Sequence, residues 1–482
     1  MLGLLALTLL AWGSVPGGAF QFDDRASALV HAAPGVRIRP LLALTWAADQ
    51  ALHGERAAGW LAENLVLHCL TVLVVLALGR RLLSPLGAFL GAAVFALQPA
   101  HAEVVAYVSG RSTGLMALLL LGGLWMWRPS GSRWRLAGAG VLFAAAVATK
   151  EVALIFPVLL FLRALAVPPR GVGRFVSHAV EGPLQETPHR PAPPPPRGIR
   201  RFVPGAPASP LLEVPDVLGR VPLPGVSDVS WGRRVVPFVG LAAVLGVVMA
   251  AVPRYRELAA WSLAERGPLQ SLALGVAVLP EQLLLWFRPW ALSVEHTVDP
   301  GRPLLPGLVL LGALLGVALA CRRRLPGGTL AVAWVLTALL PTHSVIARAD
   351  VLSEKPLYLA WVGPALFLGG GLAWAWSRLA LRPVRRWTAA AVLGAQAALA
   401  TAEIRERVSV WRSPQSLWAD AVRKAPQSSR AWNNLASALR TDSLEDALRA
   451  ARRSVELDPS NPVALANLAN LEVLCPRGCI PE

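Results

Sequence analysis

Apolar runs of membrane thickness recur along this chain, and they limit its fold more than any other feature. Eleven fall at about residues 1–19, 61–79, 84–100, 112–127, 136–149, 152–167, 235–252, 304–320, 328–345, 357–377 and 387–402. Most are roughly 17–22 residues long, which as helix matches the hydrocarbon core. Helix is the economical reading, because lipid offers no water to satisfy a free backbone group. Composition agrees: of 482 residues, 55% are hydrophobic and only 16% charged, with a mean hydropathy of +0.51. The sequence thus predicts an all-α, polytopic membrane protein of about eleven transmembrane helices.

The net charge of +17 would suit a nucleic-acid partner, but its distribution excludes one. Lys and Arg cluster in short loops: Arg80-Arg81, Arg128/Arg133/Arg135, the stretch 163–234, Arg322-Arg323-Arg324 and Arg378/Arg382/Arg385/Arg386. These alternate with loops poor in basic residues, so the charge encodes topology. With basic loops inside, the N-terminus is cytoplasmic and the C-terminal tail external. Residues 1–19 have no basic n-region and read as a retained first helix rather than a cleaved signal. Residues 269–288 are apolar enough to cross but carry Glu281, and read as a re-entrant or interfacial element.

Four regions follow. Residues 1–167 form an N-terminal membrane module whose first outer loop is 20–60. Residues 168–233 are rich in Pro and Arg, including Pro193-Pro194-Pro195-Pro196, and predict a disordered cytoplasmic loop. Residues 234–402 form a second membrane module. Residues 403–482 are periodic: Trp432, Leu435, Ala436, Leu439, Ala447, Ala451 and Pro459 fit the tetratricopeptide pattern. Trp418, Ala421 and Pro426 fit a preceding half-unit, and Leu465, Leu468 and Ala469 begin another. Such a short array must dock on the membrane body to bury its face. Cys475 and Cys479 sit where a disulfide is allowed, at no established metal spacing.

Ionisable residues near span ends gather on the predicted outer side, beginning with Asp23 and Asp24 just past the first apolar run. His101, Glu103, Arg111, Lys150, Glu151, Glu295, Arg348, Glu354 and Lys355 lie on the same side. Acids, bases and histidine converging from separate loops suit an active site. No His-Glu-x-x-His or glycine-rich phosphate motif occurs, and no metal-ligand set is identified. A transporter would carry paired charges at mid-membrane and inverted repeats, and neither is evident.

The order of these motifs resembles the glycosyltransferase C superfamily, and most closely the transmembrane and tetratricopeptide-repeat-containing O-mannosyltransferase-like proteins and their bacterial relatives. Phe20-Gln21-Phe22-Asp23-Asp24 precedes Arg39-Pro40-Leu41, and a span carrying Asn64 and His68 follows. Next come Gln98-Pro99-Ala100-His101-Ala102-Glu103, Ser109-Gly110-Arg111 and Lys150-Glu151. Glu295, Glu354 with Leu357-Tyr358, then Trp411 and Trp418 complete the series. Gln98 stands where the family's box has its first histidine, and Lys355-Pro356 interrupts the usual Glu-Arg-x-Leu-Tyr.

The resemblance implies transfer of a mannose-like sugar from a polyprenyl-phosphate donor to a protein hydroxyl, outside the bacterial cytoplasmic membrane. It points to Asp23 or Asp24 as catalytic base, the other orienting the acceptor or coordinating a divalent metal. Arg39, Arg111 and Lys150 would take the donor phosphate, and His101, Glu103, Glu151 and Glu354 would position the acceptor or a loop. Expected partners are membrane lipids, the lipid-linked sugar and an acceptor protein, held through the repeats. The alternative is a non-catalytic membrane scaffold that recruits partners through those repeats.

Overall fold

The computed structural model describes residues 1–22, 24, 38–128, 131–165, 229–379 and 383–474. Among them every regular element is an α-helix or a short 3-10 turn, with no strand. Each of the eleven apolar runs carries a helix, from Leu2–Trp12 to Pro383–Val410. Proline opens Pro40–His53, Pro85–Ala96, Pro268–Leu284 and Pro326–Leu339. At that position its missing N–H removes no helix bond.

Three described helices are long and apolar enough to cross a membrane: Ala57–Gly79, Gly232–Ala251 and Lys355–Leu379. Pro85–Ala96 and Pro99–Val105, bent by 58°, make a fourth if they form one broken span. The other runs fall short in length or continuity, except that in Pro383–Val410, which is 28 residues long but too polar. Arg111–Met126 has 16 residues and Arg133–Thr149 has 17, about 24–26 Å of helix against a core of ~30 Å. Pro326–Leu339 has 14 residues and reaches its C-cap at Leu340, just before Pro341, which has no N–H to continue the helix bonds.

Pro85–Ala96 packs against Val362–Leu379 through small residues. A Cβ on Gly369 would lie 2.3 Å from Gly91 N and 2.5 Å from Gly87 O, so only hydrogen fits there. Backbones that touch this closely gain dispersion contacts along the whole seam. The segment expected at the interface, 269–288, forms Pro268–Leu284 and packs on Leu305–Cys321. Its Glu281 carboxylate accepts from Arg302 Nη2 at 2.6 Å.

Four successive helices follow Pro383–Val410: Pro414–Lys424, Ser429–Leu439, Leu444–Leu457 and Pro462–Leu474. Ser413, Ser428 and Ser443 each cap the next helix by accepting a backbone N–H. Ala421, Ala436, Ala447 and Ala451 are fully buried between them, where a larger side chain would hold the helices apart. The group seats on the 292–295 loop of the preceding chain. Glu295 accepts from Ser428 Oγ at 2.9 Å and Arg430 Nε at 2.8 Å, and Lys424 Nζ donates to Leu292 O at 2.7 Å.

Most of the Pro/Arg-rich stretch, 166–228, lies outside the described residues, as do Cys475 and Cys479. Helix Val229–Ala251 begins inside the boundary expected for that stretch.

Candidate functional site

The chain after the first helix turns sharply at Phe22, which holds a left-handed φ of 50°. That conformation is strained for a residue with a Cβ, and packing must maintain it. The Phe22 ring lies 4.8 Å from Trp418 and 5.5 Å from Tyr107, centroid to centroid. Gln21 Nε2 donates to Trp411 O at 3.0 Å. The turn before Asp24 is thereby fastened between Tyr107 and the segment Trp411–Trp418.

Asp24 is buried, and both its oxygens accept hydrogen bonds. Oδ1 takes Ser109 Oγ at 2.7 Å and Ser109 N at 3.1 Å, while Oδ2 takes Gln21 N at 3.0 Å. Gly110 allows the Ser109 approach: a Cβ there would lie 2.5 Å from Glu103 O and 2.6 Å from Val104 O. Asp23 lies outside the described residues.

A basic cluster forms from separate parts of the chain. Arg39, also left-handed at φ 60°, donates Nε and Nη2 to the two oxygens of Glu151 at 3.0 and 2.5 Å. This fork matches the carboxylate geometrically. Burial works against ionisation of Glu151, yet the Arg39 hydrogen bonds and charge hold its carboxyl below the usual range. Lys150 Nζ donates to Thr113 Oγ1 at 2.7 Å. Burial first, then the charges of Arg39, Lys355 and Arg348, push its ammonium well below the ordinary lysine value.

Lys355 joins this cluster to the Asp24 region. Its Nζ lies 3.2 Å from Glu103 Oε1 and 4.9 Å from the Tyr107 ring centroid. Glu103 Oε2 accepts the backbone N–H groups of Glu354 at 3.0 Å and Lys355 at 3.2 Å. Those are free donors at the start of Lys355–Ala360, so Glu103 holds the 353–355 loop. Glu354 is fully buried and lies 3.4 Å from Arg407 Nη2 and 3.7 Å from His296 Nε2. Arg407 Nη1 continues to Asp420 Oδ2 at 3.1 Å. A buried charge chain thus links the loop to the C-terminal helices.

Two expected site residues lie elsewhere. His101 is fully buried against Tyr358 and Phe95, at centroid distances of 4.5 and 4.8 Å. Neither of its ring nitrogens has a hydrogen-bond partner among the described residues. Gln98, in the preceding position of that box, caps the turn by accepting Ala100 N–H at 3.3 Å.

Arg111 is 1% exposed. Its Nε donates to Asn64 Oδ1 at 3.0 Å and Nη2 to Trp60 O at 2.8 Å, while Nη1 faces Asp49 and Glu63. Its guanidinium is thus occupied inside the fold, apart from Arg39 and Lys150. Asp49, His53 and Glu63 have ligand atoms within 4.8 Å of one another, near enough to share a cation. Arg111 already bridges the two carboxylates there, and Asp24 has both oxygens engaged, so neither group fits a divalent ion well. Burial and then the neighbouring Glu63 raise the Asp49 carboxyl to about 7, against the pull of Arg111.

Asp49 and Glu63 did not stand out in the sequence, although Asp49 and His53 share one helix face at i, i+4. Arg348 and Lys355 were visible as charges, but their approach to Lys150 depends on chain crossings that no local pattern encodes. No family model matches the chain, and no curated protein matches it in sequence.

Proposed function

We propose that this chain is a membrane glycosyltransferase that moves a mannose-like sugar from a polyprenyl-phosphate donor to a protein hydroxyl, on the extracytoplasmic face of a bacterial membrane. One observation carries the reading. Asp24, Glu103, Lys150 and Lys355, from four widely separated stretches, are connected through Ser109, Tyr107 and the shared basic cluster. An acidic loop beside a concentration of cations suits attack by a hydroxyl on a sugar whose leaving group is a phosphate.

An acceptor hydroxyl needs its proton removed as it attacks the anomeric carbon. Asp24 is committed to Ser109 and Gln21, so we assign it to hold the loop and assign the base to Asp23. The departing phosphate needs positive partners at the membrane surface. Arg39, Lys150, Lys355 and Arg348 gather against Glu151, Glu103 and Asp350, and an arriving phosphate would restore the charge that burial and its basic neighbours take from Lys150. Arg111 is reassigned to bracing the helices that carry Asp49 and Glu63. Glu103 and Glu354 position the 353–355 loop rather than the acceptor. In this reading all eleven apolar helices are membrane-embedded, and the C-terminal helices are tetratricopeptide repeats that present the acceptor protein.

Gln98 in place of the family's histidine favours the second reading, a scaffold without turnover. The purified full chain, incubated with polyprenyl-phosphate mannose and serine- or threonine-bearing peptides, separates the two. Glycopeptide is the expected product; an intact donor with every peptide tried would favour the scaffold.

A further inference from the structure

We propose a binding site for one anionic phospholipid between helices Val362–Leu379 and Pro383–Val410. A groove of about 400 Å³ opens there, within the ~300–1,000 Å³ typical of small-ligand sites. Leu372, Ala375 and Leu379 line one wall and Ala389, Val392 and Leu393 the other. Such a surface takes a hydrocarbon chain. Its polar lining residues are Arg385 and Thr388. Arg378 and Arg386 flank the groove, each stacked on a tryptophan: Arg378 is 5.3 Å from the Trp374 ring and Arg386 5.2 Å from Trp376.

Charge selects the headgroup. No Asp or Glu occurs between residues 362 and 402, and among the described residues no carboxylate pairs with Arg378, Arg385 or Arg386. Arg378 lies in the last turn of Lys355–Leu379, one of the helices able to cross a membrane, and Arg385 and Arg386 follow beyond its end. Exposed Trp374 and Trp387 accompany them, as expected at a membrane–water boundary. Basic side chains over an apolar groove at that depth attract acidic lipid headgroups. The proposal is independent of sugar transfer.

Native mass spectrometry of the detergent-solubilised full chain, titrated with phosphatidylglycerol or phosphatidylcholine of equal chain length, tests it. Wild type should retain one phosphatidylglycerol about fivefold better, the factor expected for roughly one arginine's attraction. The double variant Arg385→Gln/Arg386→Gln should lose that preference, and Ala389→Trp should lower retention of both lipids by filling the groove. Circular dichroism would confirm that each variant keeps its helix content. Equal retention of the two lipids by wild type overturns the proposal, as does retention unaltered in both variants. Displacement of phosphatidylglycerol by inorganic phosphate alone would reassign the arginines to a free anion and also overturn it.

Discussion

Asp49 and Glu63 share one guanidinium, and the shortage of positive charge there has a measurable consequence. A carboxyl raised to about 7 in the fold, against about 3.9 unfolded, keeps its proton longer in the native state. Its stabilising contribution is complete below pH ~4 and is lost as pH rises through about 7. Asp49→Asn should therefore flatten the decline in melting temperature from pH 4 to 7, compared with wild type in the same buffers. Parallel curves would mean that Arg111 keeps Asp49 ionised throughout. The same residues show where sequence reading stops. Ser-Gly-Arg advertised Arg111 as a phosphate ligand, but its neighbours Asp49, Glu63 and Asn64 come from two other helices. Lys355 was readable as a charge that cannot form a bidentate fork. In the fold a single contact to Glu103, beside the Tyr107 ring, is what it makes.

Small residues set one helix contact, and a single buried charge joins another. Gly369 leaves no room for a Cβ, while Gly91 would hold one only tightly, so Gly369→Ala should destabilise by about 1–3 kcal/mol through overpacking. Gly371 lies on the same helix with nothing within 4 Å of its would-be Cβ. Gly371→Ala should be neutral or slightly stabilising, and equal melting temperatures for the two variants would contradict the seam. Arg407 is the second case. Removing it leaves the fully buried Glu354 without its guanidinium, and breaking such a pair costs about 3–5 kcal/mol. Arg407→Met should raise hydrogen exchange across Pro414–Leu474 while sparing Ala57–Gly79. Unchanged exchange would mean that the Glu295 contacts alone hold those helices. The apolar runs located the helices because hydropathy is a local property. Their ends depend on turns and packing, so Leu2–Trp12 and Pro326–Leu339, of 11 and 14 residues, emerged where the runs 1–19 and 328–345 were expected.

At the scale of the whole chain, charge alternation predicts one orientation, with the helices after Pro414 outside. A reporter fused after Glu482 should be active only on the extracytoplasmic side, and cytoplasmic activity would invert every sidedness in the proposed function. The sequence order of the motifs carried the idea of one site, and the fold joins most of them while withdrawing His101 and Arg111 into the interior. In the proposed function, chemistry then rests on Asp23. The decisive measurement is single-turnover mannose transfer from polyprenyl phosphate to an acceptor peptide, comparing wild type with Asp23→Asn. Loss of a general base should slow transfer by about 10²–10⁴-fold with the melting temperature unchanged. Equal rates would show that Asp23 is not the base, and no transfer by wild type would contradict the enzyme itself.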